Sequence, residues 1–144
     1  LTLRTSVVGP ELKHDGEELF HWFMCQSGVI PGYIEAIWSG VTTIELAKAV
    51  EYSIRKNITG LHHVTNNSSI SKYDLLKLFQ KYTKKGISIK PFDGKNFDKS
   101  FIDTRLLMDY EIPSYEQMVS DMIDLIANNR SLYSQYEVGN FDKE

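Results

Sequence analysis

Stretches patterned for buried strands alternate with stretches patterned for amphipathic helices from one end of this sequence to the other. Residues 1–8 alternate and are rich in β-branched side chains, and they stop at Gly9-Pro10. Such a run reads as a buried strand. Residues 16–26 carry Leu19, Phe20, Phe23 and Met24 at helical spacing, with Gly28 as a stop. Residues 29–32 read as a turn, and a short strand is expected within 33–39. Thr42 and Glu45 form a capping-box pattern ahead of Leu46, Ala47, Val50 and Ile54, which predict the buried face of a helix ending at Asn57 to Gly60. Residues 60–65 read as a second buried strand. Ser71 and Asp74 open a helix carrying Leu75, Leu76, Leu78 and Phe79, which ends by Gly86. A strand is expected over 87–92 and a charged loop over 93–101. Ser114 and Gln117 open a last helix with Met118, Met122, Leu125 and Ile126 as its buried stripe. This alternation predicts an α/β layer architecture over residues 1–129, followed by a polar, frayed tail over 130–144.

At 144 residues the chain is long enough for one domain with its own core. Its 16 basic and 19 acidic side chains give a net charge of −3, so no basic surface argues for nucleic acid or an anionic membrane as partner. No apolar run approaches the roughly 20 residues of a spanning helix. The single cysteine, Cys25, excludes an internal disulfide and suits a reducing compartment, so a cytoplasmic location is expected. Cys25 itself is expected to be a small buried hydrophobe. A first residue that is not Met, at the start of a strand, is read as a sign that upstream sequence is missing.

The motifs are mostly negative. No Gly-x-Gly-x-x-Gly occurs, so no dinucleotide pyrophosphate loop is expected here. His62 and His63 are neighbours in a strand and face opposite ways, and no metal site is expected. Tyr52 to Lys56 and Tyr73 to Lys77 match Tyr-x-x-x-Lys. In a chain with eight tyrosines these read as surface pairs on helices.

The order of short segments is informative. Leu3-Arg4-Thr5-Ser6 leading to Gly9, Gly40-Val41-Thr42-Thr43 before Leu46-Ala47, Gly60-Leu61-His62-His63, Ser100-Phe101-Ile102-Asp103-Thr104 and Pro113-Ser114-Tyr115-Glu116 follow one another in this sequence. In that order they resemble the carboxyl-terminal part of the extended short-chain dehydrogenases/reductases of the nucleotide-sugar type, such as the dTDP-4-dehydrorhamnose reductases. The resemblance spans about residues 1–127. The sequence departs from the pattern at Val41, where a proline is usual, and at Asn96-Phe97, where Arg-Pro is usual.

That resemblance implies late Rossmann strands plus a small substrate-binding lobe, without the half that holds NADP or NAD. It implies that Tyr52 and Tyr73 are not the family's catalytic tyrosine, which precedes the late strand. Thr5, Ser6 and Val7 would face the nicotinamide. Ser6, Val8 and Glu11 would lie over the sugar, Trp38 would stack on a base or sugar, and Lys99, Ser100 and Arg105 would meet a diphosphate. The activity implied for a full-length protein is reduction of a keto sugar carried on a nucleotide, in the biosynthesis of cell-surface polysaccharide. The 144-residue chain alone is expected to be inactive. An epimerase or dehydratase of the same superfamily, and a non-enzymatic binding module on that scaffold, are the alternatives. Exposed apolar residues in the first strand and around Trp22 imply self-association.

Overall fold

The computed structural model describes residues 1–105 and 108–139. The elements run β1 (Thr2–Arg4), β2 (Val7–Val8), α1 (Leu19–Cys25), β3 (Val29–Tyr33), β4 (Ala36–Trp38), β5 (Val41–Thr42), α2 (Thr43–Arg55), β6 (Leu61–His63), β7 (Ile70–Ser71), α3 (Lys72–Thr83), β8 (Ser88–Phe92), β9 (Phe97–Lys99) and α4 (Tyr115–Asn128).

The strands are short and mostly parallel. β1 pairs with β6, β2 with β5, β3 with β8 and β4 with β9, all parallel, and among the described residues only the β4–β7 pair is antiparallel. Parallel pairs need crossover connections, and here helices supply them. The β/α alternation of the sequence is thus an α/β fold, as expected.

Helix starts follow their caps. Thr42 Oγ1 accepts from the Glu45 amide at 3.4 Å, Ser71 Oγ from the Asp74 amide at 3.0 Å, and Ser114 Oγ from the Gln117 amide at 3.2 Å.

Five expectations are corrected. The strand read over 1–8 breaks at Thr5-Ser6 into β1 and β2, and in β1 Thr2 and Arg4 are exposed. Residues 29–32 are no turn: they belong to β3, whose Pro31 is exposed beside Lys90 of β8, a position where a missing N–H is tolerated. The loop over 93–101 contains β9, too short for periodicity to show. The face of α2 is turned round: Glu45, Ala49 and Ser53 are buried, while Ala47, Val50 and Ile54 are exposed. The described part of the tail is not frayed, because Tyr136 and Val138 are buried in the main core.

That core joins α1, α3 and α4. Phe20 meets the Phe79 ring edge-on at 5.2 Å and Phe23 meets it at 5.7 Å, all three fully enclosed. A smaller cluster of Val41, Ala49, Val64, Ile112 and Met118 lies beneath α2.

Candidate functional site

Two neighbouring features follow from this arrangement. The first is the carboxyl end of β1 and the bend into β2, a usual place for ligands in open α/β sheets. The Thr5 hydroxyl donates to the Val64 carbonyl at 2.8 Å, bridging toward the strand that pairs with β1. The Ser6 carbonyl accepts the Val41 amide at 2.9 Å. Gly40 is required by this contact: a Cβ there would lie 2.2 Å from the Ser6 carbonyl oxygen and 2.4 Å from the Trp38 ring. Val7 and Val8 are held by β5, and Val8 is core.

After β2 the chain forms a loop closed by Glu11. Its Oε1 accepts the amides of Glu17 at 3.1 Å and Glu18 at 2.8 Å. The Glu11 carboxylate therefore shapes the loop.

The second feature is a pocket of about 350 Å³ between α1, β3, α3 and β9, lined by Leu19, Trp22, Tyr33, Lys72, Lys95 and Phe97 among others. Its walls are apolar and aromatic, and its charged groups are two lysines. Lys95 Nζ stands 4.9 Å above the Tyr33 ring and Lys72 Nζ 5.9 Å from the Trp38 ring. Lys72 is half-buried. Burial first, and then the charge of Lys99, push its ammonium below the ordinary lysine value against the opposing pull of Glu18. A site with this character favours an anion joined to a flat apolar body.

The residues expected from sequence divide accordingly. Trp38 and Lys99 are register partners on β4 and β9, close to Lys72. Trp38 is only 9% exposed, belongs to the core and contacts Tyr115, Gly40 and Lys72. The indole thus packs the fold where a stacking surface was expected. Lys99 is exposed, with its Nζ 5.1 Å from the Phe97 ring. The Ser100 amide donates to Asp98 at 2.8 Å. Arg105 lies apart: its Nη2 donates to the Leu61 carbonyl of β6 at 2.7 Å. Tyr33, Lys72 and Lys95 were not singled out from sequence, while Trp22 was read only as an exposed apolar residue and Phe97 only as a departure from the family pattern. The only early sign of Lys72 was its place directly after the Ser71 cap.

A polar cavity of about 260 Å³ lies at the end of β6, between His63, Asn67, Asp103 and Tyr110. Burial first, and then its 2.7 Å hydrogen bond to the Glu45 carboxylate, push the Tyr110 hydroxyl far above its ordinary range. His62 and His63 point to different partners, the Thr59 and Ile102 carbonyls. Among the described residues, no group of three or more His, Cys, Asp or Glu side chains is placed to hold a metal. Cys25 is exposed, contrary to expectation, because it ends its helix, and its Sγ lies 3.5 Å from His21 Nε2. Among the described residues, no helix is long and apolar enough to cross a membrane.

No family model and no curated protein matches this sequence. Solved structures do resemble it. The dTDP-4-dehydrorhamnose reductase of Bacillus anthracis, in complex with NADP, aligns with a TM-score of 0.70 at 18% identity, over 85% of this chain and 47% of that one. The UDP-N-acetylglucosamine 4-epimerase of Methanobrevibacter ruminantium, in complex with UDP-N-acetylmuramic acid, aligns at 0.62 with 18% identity, over 88% and 45%. The dTDP-glucose 4,6-dehydratase of Bacillus anthracis, in complex with NAD, aligns at 0.60 with 14% identity, over 90% and 45%. The chain thus shares the Rossmann-like α/β fold of these three proteins, as its motif order implied. It spans less than half the length of each of these proteins.

Proposed function

We propose that this chain is the substrate-facing part of an NAD(P)-dependent nucleotide-sugar oxidoreductase, and that its own contribution is to hold the nucleotide end of the substrate. The observation that carries this is the pocket of Trp22, Tyr33, Lys72, Lys95 and Phe97. A base fits against aromatic and apolar walls, and a diphosphate fits lysines. Lys99 adds charge nearby.

Thr5, Ser6 and Val7 stand at the carboxyl end of a parallel strand, the side on which a dinucleotide lies in such folds. The Thr5 hydroxyl and the Ser6 carbonyl are occupied within the fold. The Ser6 hydroxyl makes no hydrogen bond among the described residues, so it is the polar group of this segment that suits a cofactor or sugar contact. When bound, NADP or NAD supplies the hydride chemistry. This chain supplies the wall beside it and, through the Glu11 loop, the cover on the sugar, while Val8 packs in the core beneath. Arg105 lies apart from this pocket, with one N–H on the Leu61 carbonyl, so Lys72, which lines it, is the stronger candidate.

The test is titration of the 144-residue chain with UDP and dTDP, and separately with NADPH. Nucleoside diphosphates should bind and NADPH should not. Lys72→Met should weaken UDP and dTDP binding by about tenfold or more, the weight of one charged contact, without destabilising the free chain, since it removes a partly desolvated charge. Micromolar NADPH affinity, or unchanged nucleotide affinity in Lys72→Met, counts against the reading.

Within the superfamily we favour reduction of a keto sugar, on the motif order. The epimerase and dehydratase likenesses, at 0.62 and 0.60, keep a hydride-returning reaction as the second reading. Tightly held NAD in the longer protein would select the second.

A further inference from the structure

The main core is closed by a segment that neither supplies a secondary-structure element nor lines the pocket. Residues 129–138 fold back over α1, and Tyr136 enters the core against the Phe20 ring at 5.4 Å. Its hydroxyl is placed among three partners. It lies 2.8 Å from His21 Nδ1, it accepts the Glu11 amide at 3.0 Å, and it points at the Glu11 carbonyl at 3.4 Å. The Gln135 side-chain amide donates to that same carbonyl. Both backbone groups of Glu11 are therefore fixed by side chains 124 and 125 residues away in sequence.

Glu11 passes this fixation on. Its carboxylate gathers the amides of Glu17 and Glu18, the residues that lead into α1. Gly16 makes room for it, since a Cβ there would lie 1.6 Å from Glu11 Oε2. Glu18 acts electrostatically on Lys72, and the next turn carries Leu19 and Trp22, both pocket walls. A path of hydrogen bonds thus runs from the tail to one side of the pocket.

We propose that residues 129–138 are a strap that sets the loop between β2 and α1, with Tyr136 as the positioning residue for the Leu19–Trp22 wall. The part of this that concerns ligand affinity rests on the pocket being the nucleotide site. The strap itself rests only on the geometry of Tyr136, Gln135, Glu11 and Gly16. Tyr136 touches no expected substrate atom. It acts through Glu11.

Two variants separate positioning from general stability. Tyr136→Phe keeps the ring in the core and removes the hydroxyl. Gly16→Ala leaves the strap untouched and evicts only the Glu11 carboxylate, the flexible end of a side chain. Amide hydrogen exchange read by NMR on the 144-residue chain gives the primary measurement. In Tyr136→Phe the Glu11 amide should exchange about tenfold faster, the cost of one hydrogen bond. The Glu17 and Glu18 amides should follow, while amides of β3 and α4 keep their rates. In Gly16→Ala the Glu17 and Glu18 amides alone should quicken. UDP affinity should fall roughly threefold to tenfold in both variants.

An unchanged Glu11 amide in Tyr136→Phe overturns the strap, as does a uniform rise at every amide. Faster loop exchange with unchanged UDP affinity overturns the link from strap to pocket. Absence of UDP binding to the unaltered chain defeats the nucleotide reading instead, and the strap then stands or falls on exchange alone.

Discussion

The two ends of α4 lie in very different surroundings. Toward Ile126 it joins a core in which Phe20, Phe23 and Phe79 are fully enclosed and apolar stripes face inward. Toward Met118 it meets a smaller cluster shared with β5 and α2, where part of the apolar face stays exposed. There α2 turns Glu45, Ala49 and Ser53 inward and leaves Val50 38% and Ile54 68% exposed, and Leu1 of the open β1 edge is 54% exposed. A helix normally buries its apolar stripe. The first region satisfies that rule alone. The second buries Ala49 and packs Leu46 but leaves Val50 and Ile54 open to solvent.

The sharpest way to break this contrast is to mutate one residue in each region. Phe79→Ala should cost about 3–5 kcal/mol, because the ring packs against both Phe20 and Phe23. Urea unfolding measures it. Ile54→Ala should stay within about 0.5 kcal/mol. Equal losses would mean that α2 buries its apolar stripe after all.

Glu45 supports α2 from inside. Its carboxylate is 1% exposed, accepts the Tyr110 hydroxyl at 2.7 Å and lies 3.4 Å from Lys48 Nζ. Glu45→Ala should cost about 1.5–3 kcal/mol, the range for a charged buried hydrogen bond. Tyr110→Phe should cost less, since the carboxylate keeps Lys48. The same unfolding measurement orders the two.

How much of this was legible in sequence depended on the local signal. Thr42, Ser71 and Ser114 announced their helices because a cap is a local hydrogen bond. The face of α2 was misread because periodicity reports which side is apolar and cannot report whether anything covers it. β3 was misread because Pro31-Gly32 has the composition of a turn, while its pairing partner lies far along the chain at Lys90-Pro91. Tyr136 and Val138 looked like polar-tail residues because isolated hydrophobes have no period. Motif order pointed to Thr5 to Val8 as candidate site residues, of which Val8 packs in the core. The pocket was not legible at Lys72, Lys95 and Tyr33, which come from α3, the loop between β8 and β9, and β3, and meet only in the fold.

Surface variants address the exposed face itself. We propose that the exposed apolar side chains of Val50 and Ile54 on α2, and of Leu1, drive weak self-association of the isolated chain. Val50→Lys with Ile54→Lys should leave the unfolding midpoint nearly unchanged and shift the sedimentation profile at high concentration to monomer. A wild-type chain that is already monomeric at that concentration would sink the proposal.

The smallest effect concerns the ion pair that ties the two regions together. Lys48 of α2 meets Asp121 of α4 at 2.9 Å. Burial pushes the Asp121 carboxyl up, but hydrogen bonds from Lys48 and Gln117 together outweigh it and leave the group below its ordinary value. The Asp121 hydrogen bond, the leading cause, holds Lys48 above the ordinary lysine value against burial. A depressed carboxyl stabilises the fold above its unfolded pKa of about 3.9, and that contribution is lost as pH falls through the folded value. A raised lysine stabilises the fold below its unfolded value of about 10.4, and that contribution is lost as pH rises through the folded value. The pair therefore contributes on a plateau between the two. With the Asp121 side chain 27% exposed and that of Lys48 42% exposed, screening by water keeps it below about 1 kcal/mol. Asp121→Asn should flatten the acid limb of stability against pH, and 1 M salt should shrink the difference from wild type. An acid limb unchanged in Asp121→Asn would show that the two regions are joined by apolar contacts alone.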